Sequence, residues 1–98
     1  MRILTGKQRR YLKALANRIR PTVYIGHKGL SPSVVEMVEQ TFNTRELIKL
    51  KVQRECPQRK EDVADALAKA THSHLIQILG STILIYRPDP ETPKISLP

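Results

Sequence analysis

The sequence predicts one α/β (α+β) domain in the order αβαβαββ, with a mixed four-stranded sheet and three helices. Three observations predict it. Apolar residues recur at helical spacing in three separate stretches, short apolar or alternating runs lie between them, and only Gly80-Ser81 separates the last two such runs. Strands separated by helices imply right-handed parallel crossovers, and the terminal hairpin makes one strand antiparallel. The 98 residues fit a single domain spanning 1–98, with no internal repeat and no linker.

Each element has a local reason. Thr5-Gly6-Lys7-Gln8 has the form of a capping box, Thr5 at the N-cap and Gln8 at N3. The helix it opens places Tyr11, Leu12, Leu15 and Ile19 on one stripe, and Pro21 is expected to end it. A short strand follows over 22–25. Ser31 suits an N-cap and Pro32 the first helical position, so a second helix begins there, with Val34, Val35, Met37, Val38 and Phe42 inward and Glu36, Glu39 and Gln40 in water. Residues 47–53 alternate, with Ile48, Leu50 and Val52 inward and Lys49, Lys51 and Gln53 outward, which reads as a strand with one buried face. A third helix is expected over about 60–71, with Val63, Ala66, Leu67 and Ala70 on its inner side. Strands over 74–79 and 82–86 are joined through Gly80-Ser81, a pair suited to a type II′ turn. Four prolines among residues 88–98 predict an irregular tail from about 88.

The net charge of +8 is unevenly placed. Residues 1–35 carry eight basic side chains and no acidic one, whereas residues 36–98 carry nine of each. The whole surplus therefore lies in the first third, and such a single-sign patch is what a polyanion partner requires. The plainer reading is a solvated basic face that keeps the protein soluble; the complete absence of acids favours the polyanion. Rings are few: Tyr11, Tyr24, Tyr86 and Phe42, with no tryptophan. That scarcity argues against a module that reads unpaired bases by stacking.

Gly26-His27-Lys28-Gly29 lies between a strand and a helix. Its two glycines allow a sharp turn and a close approach by a phosphate, which loop N–H groups, the helix N-terminus and Lys28 could contact together. A GxxG loop used this way clamps the backbone in KH-type RNA binders, although four such residues are also an ordinary strand-to-helix turn. Lys7, Arg9, Arg10, Lys13, Arg18 and Arg20, in the segment leading to the loop, complete the candidate surface. Lys49 and Lys51 could extend it, but an alternating lysine pair is more often a plain strand surface.

Other chemistries lack residues. Cys56 with three scattered histidines has no zinc spacing. Glu55 beside Cys56 does not activate a thiol, and Glu61, Asp62 and Asp65 suit the first turns of a helix. Gly26-His27-Lys28-Gly29 is too short for a Walker loop. No catalytic residue, metal, cofactor or small-molecule substrate is expected. A lone cysteine, the lack of a signal-like apolar start and the lack of a spanning run predict a cytoplasmic protein away from membranes, and a monomer is expected.

Several separated motifs, in order, resemble one family: residues 4–12 (LTGKQRRYL), 25–31 (IGHKGLS), 46–49 (ELIK), 80–87 (GSTILIYR) and the closing 94–98 (KISLP). Together they are similar to the CRM domain, the chloroplast RNA splicing and ribosome maturation domain, and within it to the stand-alone bacterial YhbY type. The resemblance implies a fold similar to the C-terminal domain of translation initiation factor three. It also implies RNA binding through the loop at Gly26, Lys28 and Gly29, and association with precursors of the large ribosomal subunit; His27 receives no role from it. Plant members fuse such domains for group II intron splicing. No fusion is visible in this chain, so the resemblance points to ribosome assembly, with an intron-splicing cofactor or a ribosome-docked protein-interaction module as alternatives.

Overall fold

A computed structural model describes residues 3–98. Its elements run α1 (Gly6–Ala16), β1 (Val23–Ile25), α2 (Pro32–Phe42), β2 (Leu47–Val52), α3 (Lys60–Thr71), β3 (His74–Leu79) and β4 (Thr82–Tyr86). The sheet order is β1-β2-β4-β3, with β1 parallel to β2 and β4 antiparallel to both of its neighbours. The hairpin thus inserts β4 between β2 and β3, and β4 is the one reversed strand, as the predicted topology requires. Gly80 has φ +60° and Ser81 does not have a positive φ, the pattern of a type II′ link. At Leu75 to Gln77 the β3–β4 register slips, so two residues of β3 oppose Leu84.

Both faces of the sheet are covered. One carries the main core, in which Val23, Ile25, Ile48, Leu50, Ile83 and Ile85 meet α2 through Val38 and Phe42 and α3 through Val63, Ala64 and Leu67. On the other face, Leu12 and Ala16 of α1 pack with Leu47, Ile76, Leu84 and Tyr86. Fully burying one such Leu or Ile is worth about 1.5–3 kcal/mol, so the two clusters hold α1 and the α2–α3 pair to opposite sides.

The capping box at Thr5 forms as expected: Gln8 N–H donates to Thr5 Oγ1 at 3.1 Å and Thr5 N–H to Gln8 Oε1 at 2.9 Å. Ser31 caps α2, with Pro32 at its first position. Several details depart from the sequence pattern. Helix α1 stops at Ala16, well before Pro21: the N–H groups of Asn17, Arg18 and Ile19 tighten onto the carbonyls of Ala14, Leu15 and Ala16, and Lys49 of β2 donates to the carbonyls of Ala16 and Ile19 at 3.0 and 3.2 Å. Strand β2 consequently has two buried faces at its start, where Leu47 sits beneath α1. Tyr11 and Met37, expected inside, are 40% and 50% exposed. On α3 the inner stripe is Val63, Ala64, Leu67 and Thr71, and Ala66 and Ala70 face outward. Glu39, expected in water, is half-buried and paired with Arg87.

Candidate nucleic-acid interface

Gly26-His27-Lys28-Gly29 closes as a turn, with Gly29 N–H donating to Gly26 O at 2.9 Å. His27 and Lys28 occupy its corner and are exposed. The two glycines do different things. Gly29, at φ +66°, is buried, and a Cβ there would run into Gln58 Oε1 and come within 3.3 Å of Pro57 Cγ. Gln58 in turn accepts the N–H of Leu30 at 2.7 Å, which ties the end of the loop to the β2–α3 connection. Gly26 has no positive φ and its only close neighbour is the exposed end of Gln53. Not every N–H group of the loop is open to a ligand. The Gly29 N–H is spent inside the turn and the next one on Gln58, whereas the backbone N–H groups of Gly26, His27 and Lys28 have no protein partner among the described residues. The open donors are thus those of the first three loop residues, beside the Lys28 ammonium and the start of α2. A shallow cavity of about 210 Å³ opens here, bordered by Tyr24, Gly26, His27, Lys28 and Ser31.

On α1, Lys7, Arg10 and Lys13 are exposed, as are Arg18 and Arg20 in the segment that leads to β1. None of them forms an ion pair among the described residues. Arg9 differs: it is half-buried and its Nη1 donates to Leu75 O at 2.9 Å, so its guanidinium helps to hold α1 against β3. Lys49 is committed to the end of α1, and Arg2, which belongs to the basic surplus, lies outside the described residues. Lys13 and Lys49 border a groove of about 70 Å³ between the end of α1 and the sheet, floored by Gln77, Leu79, Thr82 and Leu84. No acidic side chain borders either this groove or the loop cavity.

In the other two-thirds, several charged groups hold the fold together. Glu46 is buried, and its carboxylate accepts N–H groups from Asp89, Lys94 and Ile95 at 2.6, 2.8 and 2.7 Å. The tail after β4 contains no helix or strand, yet Glu46 fastens it, and Ile95 and Leu97 pack onto the α1-side core. Arg87 donates to both Glu39 oxygens at 3.0 Å and to Thr71 O at 2.8 Å, and lies 4.4 Å over the Phe42 ring. These roles of Glu46, Arg87 and Gln58 escaped the sequence reading. For Glu46 the one available sign was an acid directly before the apolar run of β2. His74 stacks on Tyr86, with ring centroids 6.1 Å apart, and burial together with the nearby Arg9 charge lowers its pKa below 6.5. Burial and the Glu46 carboxylate raise that of Tyr86 above 10.

The pattern that defines the CRS1 / YhbY (CRM) domain matches residues 4–87. The chain belongs to this family. Among CRM relatives it is 38% identical over 96 residues to the "Probable RNA-binding protein YqeI" of Bacillus subtilis (strain 168), covering 98% of this chain and 100% of the relative. It is 36% identical over 98 residues to a protein of Haemophilus influenzae named "RNA-binding protein", covering 100% and 98% of the two chains. A solution structure from Staphylococcus aureus, described as that of a candidate RNA-binding protein, superposes with a TM-score of 0.81 at 42% identity, covering 98% of this chain and 100% of that one. No helix of this CRM chain among the described residues is long and apolar enough to cross a membrane.

Proposed function

We propose that this protein binds structured ribosomal RNA by its phosphate backbone and acts, without catalysis of its own, in assembly of the large ribosomal subunit. The observation that carries the reading is the set of exposed cations without ion-pair partners, Lys7, Arg10 and Lys13 on α1 and Lys28 at the loop corner, on a segment without acids. Lys28 and the N–H groups at the corner meet phosphates, Gly26 and Gly29 shape the turn, and His27 flanks the contact. Arg18 and Arg20 extend the basic surface, and Arg9 adds its charge while bracing α1. The names of the relatives support RNA as the partner. The ribosomal target rests on the family resemblance. Cross-linking in cells, followed by sequencing of the attached RNA, tests it. Enrichment of large-subunit ribosomal RNA and its precursors is expected; enrichment of messenger or intron RNA alone would overturn the ribosomal assignment, and recovery of no RNA would favour a protein-docking role.

A further inference from the structure

One row of residues crosses the whole sheet. Tyr24 of β1 stands opposite Lys51 of β2, Lys51 opposite Thr82 of β4, and Thr82 opposite Leu79 of β3. Directly paired residues point to the same side. Their chain neighbours Val23, Ile25, Leu50, Val52, Ile83 and Ile78 all pack on the α2–α3 side, so this row faces the α1 side. Helix α1 does not reach it. The end of α1 lies over the next row, where Lys49 and Leu84 border the groove beside Ala16 and Asn17. The row is left open: Tyr24 is 54% and Leu79 68% exposed, and Lys51 is exposed between them. At about 4.8 Å per strand it extends roughly 14 Å, room for more than one base.

We propose that this open row is a shelf for unpaired bases of the bound RNA, with the Tyr24 ring as its stacking platform. The inference rests on the RNA reading above and adds what part of the RNA is recognised. Tyr24 borders the same cavity as Gly26, His27 and Lys28, so a nucleotide whose phosphate lies at the loop corner has its base close to this residue. At the other end, Leu79 and Thr82 border the groove that Lys13 also borders, which supplies a cation for the next phosphates. Charge complementarity names the occupant: Lys28 borders the cavity at one end of the row, Lys51 lies on it and Lys13 borders the groove at the other end, and neither cavity is bordered by an acid. A π-face accepts any base, so the shelf selects single-stranded over paired RNA rather than one sequence. The scarcity of rings in the chain concealed it, because one exposed tyrosine beside the phosphate contact is sufficient.

The test compares a hairpin RNA carrying a single-stranded adenine loop with a fully paired duplex of equal phosphate number. Tyr24→Leu, which keeps apolar bulk without a ring, should weaken hairpin binding by about 5- to 150-fold, the range of one lost base stack. Tyr24→Phe should bind nearly as wild type, and duplex binding should be unchanged in both. The salt slope should stay the same, since no cation is removed. Ultraviolet cross-linking of the hairpin to unaltered protein should mark the β1 peptide bearing Tyr24, a readout independent of how any variant folds. Wild-type affinity in folded Tyr24→Leu, or cross-links confined to other segments, would overturn the shelf while salt-dependent binding left the RNA reading standing. Failure of wild-type protein to bind either RNA would instead remove that reading.

Discussion

Gly29→Ala separates the architecture of the loop from its charge. The substitution places a Cβ at φ +66°, where an L-residue costs about 1–2 kcal/mol. It also drives that Cβ into Gln58 Oε1. The Gln58 amide is the end of a flexible side chain and can move, but moving it breaks its bond to Leu30 N–H, worth about 1 kcal/mol net. The expected loss is therefore about 2–3 kcal/mol. With an unfolding entropy near 2.1 cal/mol/K per residue, the Tm of this 98-residue chain should fall by about 10–15 °C. A double-mutant cycle isolates the contact. In a Gln58→Ala background neither the clash nor the bond exists, so Gly29→Ala should cost only the backbone part, and the cycle should show a coupling of about 1 kcal/mol. Gly26→Ala, with no positive φ and only exposed Gln53 to displace, is the control and should change stability by no more than about 0.5 kcal/mol. Urea and thermal denaturation followed by circular dichroism provide the assay. Strict additivity, or a loss at Gly29 no larger than at Gly26, would refute the account of the loop.

Three further outcomes follow from the fold. The folded-state pKa of His74 lies below 6.5, so the unfolded chain takes up the proton first as pH falls; stability should be lost progressively below pH 6.5, and His74→Phe should flatten the Tm-versus-pH curve there. Glu46→Gln removes the charge and turns one of the two acceptor oxygens into an NH2 that cannot accept from the tail, which should cost about 3 kcal/mol and hasten tryptic cleavage after Lys94, read by mass spectrometry. Replacing Lys7, Arg10 and Lys13 together with Gln should move stability by about 0.5 kcal/mol or less per site while clearly weakening RNA binding, because these side chains are exposed and make no ion pair among the described residues. Unchanged RNA affinity in that variant would reduce the basic helix face to a solubilising role.

The element order was legible because several boundaries carry their own chemistry: Thr5 with Gln8, Ser31 with Pro32, and Gly80-Ser81 state where the chain turns or caps. The topology followed from the crossovers and the hairpin. What the sequence concealed depends on contacts across long stretches of chain. Lys49 reads as a solvent-facing strand lysine until α1 is laid over it, and Arg9 reads as a surface cation until β3 supplies a carbonyl. Tyr11 and Met37 fit their apolar stripes, yet 40% and 50% of their surfaces stay exposed. At the loop, the sequence conveys two glycines but not that one is locked by a glutamine 29 residues away while the other is free of such restraint. Nor could the row from Tyr24 to Leu79 be seen before β4 was known to lie beside β2.

The most direct test of the central claim is a titration of RNA with wild-type protein at several salt concentrations. Lys7, Arg10, Lys13 and Lys28 offer four exposed cations, and neutralising about four phosphates of unpaired RNA gives a slope of log K against log salt near −3. The variant lacking the three α1 cations should retain a slope near −1, since each phosphate contact contributes about 0.7. A flat salt response in the wild type, or an equal slope in the two proteins, would contradict electrostatic recognition of RNA through this surface.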